Sequence, residues 1–179
     1  AMTSEMMIGT TVSVLPYRSP LETARAFANV DQLSRGRCIL GVGSGWAAEE
    51  FRILGVPFEH RGAMTTEYLE AIKALWATDV ASFHGEFVSF DEVHTAPRPV
   101  QTPHPPIWVG GNSVRSMRRA IQQGTAWHPI RPTISDFVNV MLPAFVELSE
   151  RLESPMPDLC PRIRLRVTDA PRPNDVRLA

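Results

Sequence analysis

The sequence has little cysteine, little net charge and no long apolar run. Its 179 residues carry two cysteines and a formal net charge of −1. Cys38 and Cys160 lie far apart and belong to no C-x-x-C motif, so we expect no disulfide framework and a cytoplasmic location. The interspersed charges provide no basic face, which argues against nucleic-acid binding. No apolar stretch approaches membrane-spanning length and no secretory signal is visible, so we expect no membrane partner.

What the sequence does contain is a run of glycines behind an apolar segment, from Arg37 to Trp46 (RCILGVGSGW). The part from Cys38 to Val42 is short and apolar, which is typical of a strand covered on both faces in a parallel sheet. Gly41, Gly43 and Gly45 then remove the Cβ atoms that would hold a flat ligand or a phosphate away from main-chain N–H groups. The alternative is that these glycines only make a tight exit from the strand.

This glycine spacing has a competing interpretation, the dinucleotide-binding fingerprint G-x-G-x-x-G. Here the spacing is G-x-G-x-G followed by Trp46, so the third glycine is misplaced, although Glu59 stands at a tolerable distance for the acidic partner. A nicotinamide-binding Rossmann domain is therefore disfavoured. Trp46 itself either covers a bound ring or packs the mouth of the fold.

Strand and helix patterns alternate along the chain. The predicted strands are Met7 to Leu15, Cys38 to Val42, Ile107 to Val109, Thr125 to Trp127 and Ile163 to Val167. The predicted helices run from Pro20 to a stop at Gly36, from a cap at Thr65 or Thr66 through Trp76, from Val114 to a stop at Gly124, and from about Ser135 to Leu152 with a kink at Pro143. In the first helix the apolar residues keep helical spacing: Leu21, Ala24, Phe27, Ala28 and Leu33.

Two segments interrupt this alternation. Residues 81 to 93 predict a β-hairpin around Gly85, with Phe83, Phe87 and Phe90 available for cross-strand contacts. The segment from Pro97 to Pro106 is an extended connector because its prolines forbid helix. The stretch between Trp46 and Thr65 is predicted to be a loop, whose charged residues we interpret as a solvated or paired surface: Glu49, Glu50, Glu59 and Arg61.

Repeated strand–helix units predict parallel strands joined by right-handed crossovers, in a doubly wound sheet or a (β/α) barrel. Both architectures bind ligands at the carboxyl ends of their strands. Two of these ends are rich in glycine, at Gly41 to Gly45 and at Gly110 to Ser113. Several strand ends that share one site favour the barrel, and we treat residues 1–179 as one domain because the length is that of one domain.

Four blocks occur in the order GTTVSVLPYR (Gly9 to Arg18), DQLSRGRCILGVGSGW (Asp31 to Trp46), PRPVQTPHPPIWVGGNS (Pro97 to Ser113) and GTAWHP (Gly124 to Pro129). Together they resemble the bacterial luciferase-like monooxygenase superfamily, and most closely its actinobacterial branch that uses the deazaflavin coenzyme F420. The resemblance covers the chain to about Leu152. It implies a (β/α)8 TIM barrel whose flavin or deazaflavin ring lies across the strand ends.

The resemblance also implies the cofactor-binding residues, which are Thr11, Val12, Val14, Gly43, Ser44, Gly45, Trp46, Gly110, Gly111, Asn112 and Ser113. Thr11 and Val12 match the position of a non-prolyl cis peptide bond that supports the ring. The four residues from Gly110 to Ser113 match the phosphate-binding turn, where N–H groups at a helix N-terminus and a serine hydroxyl make an anion site. The alternatives are that Thr11 and Val12 only fill a strand, and that Asn112 and Ser113 only cap a helix.

The chain departs from the family in its extent. In the family the GTTV-type strand is the third, and the two preceding units carry the acidic, histidine and tryptophan positions near the reactive ring carbon. Nothing in the chain matches those units or the eighth strand. We therefore expect an α/β fold that is an incomplete (β/α)8 TIM barrel, about strands 3 to 7, truncated at both ends and with a β-hairpin insertion. Its open sheet edges predict a homo-oligomer or association with the missing barrel segments.

The function predicted on this basis is a flavin- or deazaflavin-dependent oxidoreductase of the luciferase-like monooxygenase class, with a small organic substrate of unknown identity. The cofactor would be F420, or alternatively FMN. The alternative function is a truncated, non-catalytic flavin-binding or interaction protein of the same fold. No side chain is a convincing proton donor, so we assign no catalytic residue. We predict no metal site, since the histidines lack metal-ligand spacing, and only His128, beside Trp127, is placed to face the site.

Overall fold

The computed structural model describes residues 3–164, which form a mostly parallel sheet with helices packed against it. The strands described are β1 (Ile8–Gly9), β2 (Ser13–Val14), β3 (Cys38–Gly43), β4 (Val80–His84), β5 (Ser89–His94), β6 (Ile107–Gly110), β7 (Ala126–His128) and β8 (Asp158–Leu159). The main sheet has the order β1-β3-β6-β7-β8, and β2 pairs with the carboxyl end of β3. All of its pairs are parallel, as the alternating pattern predicts.

The helices connect these strands. They are α1 (Pro20–Ser34), α2 (Ala48–Leu54), α3 (Arg61–Ala77), α4 (Val114–Gln123), α5 (Ile134–Asp136) and α6 (Leu142–Arg151). Short 3-10 turns cover Leu15–Tyr17 and Phe58–His60, and a π-helix at Phe137–Met141 joins α5 to α6. Within residues 3–164, no helix is long and apolar enough to cross a membrane.

The core lies between the sheet and the helices. All six residues of β3 are buried, as the apolar run predicts, and Leu40 and Val42 belong to one cluster with Ile107 of β6. Leu69 and Ile72 of α3 are fully buried in the same cluster. This rigid centre holds the carboxyl ends of β3 and β6 side by side, because Val42 pairs with Val109 in parallel register.

The helix α1 buries a charged residue. Asp31 is fully buried, whereas Leu33, which keeps the helical spacing of the apolar residues, is 83% exposed. The Asp31 carboxylate accepts hydrogen bonds from the main-chain N–H groups of Val100 and Gln101 at 2.7 and 3.0 Å, and from the Gln101 side chain at 2.7 Å. These bonds fasten the proline-rich connector to α1, and satisfied hydrogen bonds are what make a buried carboxylate tolerable.

The first strand is interrupted, where one strand from Met7 to Leu15 was predicted. Pairing with β3 stops at Gly9 and resumes at Ser13. Between them the Thr10 hydroxyl donates to the Gly41 carbonyl at 2.7 Å and accepts from the Gly41 N–H at 3.1 Å. The Thr10 side chain thus takes the place of the main-chain groups that would otherwise bond to Gly41 in the sheet. This explains why the β-branched segment does not form one continuous strand.

The segment between β3 and α3 was predicted to be a loop, and this was wrong. It contains α2, of which only Phe51 is buried, so the segment lacks the apolar stripe by which amphipathic helices are found in a sequence. The start of α3 also differs, at Arg61 instead of a cap at Thr65 or Thr66. Both threonine hydroxyls lie inside the helix and donate to carbonyls four residues earlier, a use that competes with capping.

The hairpin β4–β5 confirms the predicted insertion. Phe83 and Phe90 stack across it with ring centroids 6.1 Å apart, whereas Phe87 packs on His60 instead. The carboxylate of Glu67 on α3 accepts hydrogen bonds from three consecutive N–H groups at the hairpin tip, residues 86–88, at 2.7–2.9 Å. The hairpin is therefore anchored to the helix that borders the site.

The last elements agree only in part with the sequence prediction. The helix expected from Ser135 to Leu152 is present as α5, the π-helix and α6, and the irregular turn lies just before Pro143. The strand predicted at Ile163 to Val167 was misplaced, since the strand that pairs with β7 is Asp158–Leu159 and residues 163–164 are not in a strand. Residues 165–167 lie outside the described range.

Candidate functional site

A cavity of about 1030 Å³ lies where the carboxyl ends of β2, β3 and β6 meet the N-terminus of α4. Ten of the eleven residues predicted to bind a cofactor line it: Thr11, Val12, Val14, Gly43, Ser44, Gly45, Trp46, Gly110, Gly111 and Ser113. The exception is Asn112, which is not part of the lining. The strand ends therefore converge as the barrel interpretation predicts.

Val12 fills the gap between two strand ends. The Thr11–Val12 peptide bond is cis, at the position that the family resemblance implies. A Cβ added at Gly43 would lie 2.6 Å from one Val12 methyl, and a Cβ at Gly110 would lie 2.8 Å from the other. Both distances are shorter than van der Waals contact, so only glycine at these two positions admits the Val12 side chain. The smooth wall beside the cavity thus depends on both glycine-rich strand ends.

The rim above β3 is formed by Gly45 and Trp46. Gly45 has a positive φ of 79°, and a Cβ there would lie 2.7 Å from the ring of Phe51. Trp46 is 88% exposed at the cavity mouth, so it does not pack the mouth in this structure. The Tyr17 hydroxyl donates to the Glu50 carboxylate at 2.6 Å and so ties α2 to the turn after β2. Desolvation and this hydrogen bond raise the pKa of Tyr17 to about 12, which keeps it a donor.

His128 was predicted to face the site, but it is not part of the cavity lining; it is 5% exposed and contacts the lining residue Thr11. Its Nδ1 is 2.5 Å from the Cys160 carbonyl oxygen, which only accepts, so Nδ1 carries a proton. Its Nε2 is 2.7 Å from the Thr11 hydroxyl. Burial lowers the pKa of His128, a direction that the hydrogen bond to Cys160 opposes and the nearby Arg162 reinforces. The neutral ring therefore accepts the Thr11 proton and fixes the direction of that hydroxyl.

The turn after β6 uses its polar side chains in two different ways. The Ser113 hydroxyl caps α4 by accepting from the Ser116 N–H at 3.2 Å, and it also faces the cavity. The side-chain amide of Asn112 instead bonds to the main chain of Ile130. Its Nδ2 donates to the Ile130 carbonyl at 2.9 Å, and its Oδ1 accepts from the Ile130 N–H at 2.7 Å. Asn112 thereby holds the turn in place. The N–H groups of Val114 and Arg115, at the start of α4, have no hydrogen-bond partner among residues 3–164, and a helix N-terminus favours an anion.

Arginines form the part of the site that the sequence prediction missed. Arg61, Arg115, Arg118, Arg119 and Arg162 all line the cavity, together with Glu59. Arg61 and Glu59 were interpreted as part of a solvated or paired surface; Glu59 is exposed, and both residues also line the cavity. The signal in the sequence was the spacing of Arg115, Arg118 and Arg119, which places them on one helical face directly after the Gly110 to Ser113 turn.

Arg119 is 9% exposed and joins three elements. Its guanidinium donates to the Thr66 hydroxyl at 3.0 Å, to the Gly62 carbonyl at 2.8 Å and to the Ser44 hydroxyl at 3.3 Å. Burial lowers the pKa of Arg119, although a guanidinium stays charged in proteins. All three acceptors are neutral, so the positive charge at the edge of the cavity is not cancelled by them.

Comparison with known proteins identifies the family. A family model for luciferase-like monooxygenases matches residues 1–171. The chain belongs to the luciferase-like monooxygenase family. It is 43% identical over 110 residues to an uncharacterized protein of Mycobacterium tuberculosis, a match that covers 62% of this chain and 39% of the relative. It is 39% identical over 113 residues to an FMNH(2)-dependent dimethylsulfone monooxygenase of Pseudomonas putida, covering 62% of this chain and 31% of that enzyme.

The structural comparison of this luciferase-like chain agrees. An F420-dependent secondary alcohol dehydrogenase, solved with an F420-acetone adduct, superposes with a TM-score of 0.77 at 23% identity, over 89% of this chain and 50% of that one. The chain thus matches two fifths or less of these two curated relatives and half of the solved neighbour. The family and the incomplete-barrel fold predicted from the sequence are confirmed, while the activity of the whole relatives does not transfer with the fold.

The cavity of this luciferase-like chain fits a phosphorylated flavin or deazaflavin. The Val12 side chain, which occupies the space left by Gly43 and Gly110, forms an apolar wall for a flat ring, and the N-terminus of α4, with Ser113 beside it, supplies N–H donors for a phosphate. Arg119 adds positive charge at the same end. Within residues 3–164, no group of three or more His, Cys, Asp or Glu is placed so that it could hold a metal ion.

Proposed function

We propose that this chain forms the cofactor-binding part of a flavin- or deazaflavin-dependent oxidoreductase that acts on a small organic substrate. The observation that carries the proposal is the convergence of two glycine-bare strand ends, at Gly43 and Gly110, on the cationic N-terminus of α4 in one cavity. Such a cavity has a flat apolar wall for a ring and an anion site for a phosphate. Membership of the luciferase-like family supports the same chemistry.

The bound cofactor would supply the hydride or oxygen chemistry, and the chain would bind and orient it. The main chain at Thr11–Val12 and the Val12 side chain would support one face of the ring. Ser113 and the α4 N-terminus would hold the phosphate, with Arg119 contributing charge. His128 would keep the Thr11 hydroxyl turned toward Nε2, so that the ring would lie near the Thr11 oxygen lone pairs instead of its proton. We propose no proton donor.

The preferred cofactor is F420, with FMN as the alternative. The relatives support both, since the Pseudomonas putida enzyme is named as FMNH(2)-dependent and the solved dehydrogenase contains an F420-acetone adduct. The sequence resemblance to the F420 branch favours the deazaflavin. We further propose a cytoplasmic protein whose open sheet edges, at β1 and β8, are covered by a second copy or by the remaining barrel segments.

Binding titrations test the function. The purified chain is titrated with F420, FMN and NADPH while fluorescence is followed, and its solution mass is determined in parallel. We expect F420 to bind most tightly, and we expect Ser113→Ala together with Arg119→Met to weaken binding of F420 and FMN. Arg151→Gln, which changes an exposed arginine on α6 away from the cavity, is the control and should bind as the wild type does. Preference for NADPH would refute the proposal.

A second candidate function is a non-catalytic flavin-binding or interaction protein. The chain matches 31% of the length of the Pseudomonas putida enzyme, and the catalytic activity of a relative does not follow from a shared fold. This candidate predicts that the folded chain binds a cofactor without turnover, or binds none of the three compounds. Reduction of bound F420 or reoxidation of bound FMNH2 coupled to a substrate would decide against it.

A further inference from the structure

The cavity holds an unusual concentration of positive charge. Its lining contains five arginines against one glutamate, a formal charge of +4 in a chain whose total is −1. Among residues 3–164 the only ion pairs are His84–Asp91 and Arg98–Asp79, and neither belongs to the cavity. Like charges gathered in one concave site repel each other, and an anionic ligand relieves that repulsion.

One phosphate does not account for this charge. A phosphate at Ser113 would already be served by the N–H groups of the α4 N-terminus and by the buried charge of Arg119. The Arg61 guanidinium donates to the Phe58 carbonyl at 2.9 Å and lies 3.8 Å from the centre of the Phe58 ring, so Phe58 already holds it. The Arg162 guanidinium donates to the Thr11 carbonyl at 3.4 Å, so it too has an acceptor within the chain.

Arg115 and Arg118 remain. Both are exposed, both line the cavity, and no hydrogen bond or ion pair within residues 3–164 engages either guanidinium. They are three residues apart on α4, so they lie on one helical face with about 4.5 Å between them along the axis. Two guanidinium groups at that spacing form a site for a carboxylate or a phosphate.

We propose that Arg115 and Arg118 form a second anion subsite of the cavity, which holds a carboxylate or phosphodiester group of the ligand beyond the phosphate bound at Ser113. The inference rests on the proposed function. It assigns the cavity to a ligand with at least two separate anionic groups. F420, with a phosphodiester and a carboxylate tail, has that character, whereas FMN ends in one phosphate. A separate anionic substrate bound beside the cofactor would use the same chemistry.

The test measures dissociation constants by fluorescence for four probes: F420, the deazaflavin lacking both phosphate and tail, FMN and riboflavin. The subsite variant is Arg115→Gln/Arg118→Gln. The control is Arg52→Gln/Arg151→Gln, which removes the same charge from exposed helical positions outside the cavity. Thermal unfolding of each variant verifies that it is folded.

We expect the subsite variant to lose about tenfold to a hundredfold in affinity for F420, as two charge-assisted interactions imply, and less than about threefold for FMN. The tail-free deazaflavin and riboflavin should be unaffected, and Arg115→Lys/Arg118→Lys should restore part of the F420 affinity. An equal loss for F420 and FMN would overturn the proposal, because the two arginines would then serve only the first phosphate. Unchanged affinity for F420 together with unchanged binding of citrate would overturn it as well.

Citrate separates the two sources of the second anion. If the subsite variant loses citrate binding in the presence of FMN but keeps its F420 affinity, the subsite exists and serves a separate anionic substrate. Citrate also separates this inference from the proposed function. A wild-type chain that binds none of the four probes would refute the proposed function, and the difference in citrate binding between wild type and variant would still decide whether the subsite exists.

Discussion

Replacing Gly41 by alanine tests how tightly the wall of the cavity is built. A Cβ at Gly41 would lie 1.8 Å from the carbonyl oxygen of Thr10, a main-chain atom that cannot rotate away. Either β3 or the segment before the Thr11–Val12 bond must therefore move by more than 1 Å to reach even 3.0 Å, and further to reach an ordinary contact of 3.4–4 Å. That movement also breaks the two hydrogen bonds between the Thr10 hydroxyl and Gly41, at 2.7 and 3.1 Å.

The magnitude follows from these two effects. Overpacking a buried site costs about 1–3 kcal/mol, and each of the two lost hydrogen bonds costs about 1 kcal/mol. We expect Gly41→Ala to lower the free energy of unfolding by about 3–5 kcal/mol. A typical domain has a free energy of unfolding of about 5–15 kcal/mol, so we expect the variant to remain folded with little stability left. Cofactor affinity should fall too, since Thr11 and Val12 follow the displaced residue.

The assay is urea unfolding, followed by circular dichroism and tryptophan fluorescence, with fluorescence titration of F420 below the transition. Gly62→Ala is the matched control, because a Cβ in α3 would find its nearest neighbour at 3.8 Å and alanine favours a helix by about 0.5–1 kcal/mol. Gly41→Ala should be destabilised and Gly62→Ala should not. A Gly41→Ala chain within about 1 kcal/mol of the wild type would refute the close approach on which the wall depends.

Three further predictions concern the supports of the site. Asp31→Asn should lower the free energy of unfolding, measured in urea, by about 3–5 kcal/mol. The Asn amide nitrogen would face two of the N–H donors that now bond to the carboxylate, which come from Val100 and Gln101. An effect below about 1 kcal/mol would contradict this prediction. Glu67→Gln should cost about 1–2 kcal/mol and increase amide hydrogen exchange at residues 86–88, while unchanged exchange would show that the anchor is dispensable. His128 has a lowered pKa in the folded chain, so the unfolded chain binds more protons between that pKa and about 6.5. Stability should therefore fall as the pH drops from about 6.5 toward the folded pKa, and His128→Gln should flatten this part of the profile; an unchanged profile would exclude His128 as its source.

The parts of the fold that could be predicted are those with a local signal. The strand β3 follows from an uninterrupted apolar run, and α4 follows from periodic apolar residues after a glycine turn. The helix α2 was not predicted, because it buries only Phe51 and its sequence therefore has no apolar periodicity. The burial of Asp31 also has no local signal, because the carboxylate finds its donors in a connector 69 residues away.

The candidate site divides in the same way. Its glycine-rich strand ends and its serine-capped turn are properties of short segments, so the sequence by itself predicted a ligand site there and determined the family. Only the tertiary structure decided which other side chains line the cavity. Arg119 meets Ser44 across 75 residues of chain, and His128 meets Thr11 across 117. Contacts of that separation arise from the packing of one strand–helix unit on another, and neither periodicity nor spacing along the chain encodes them.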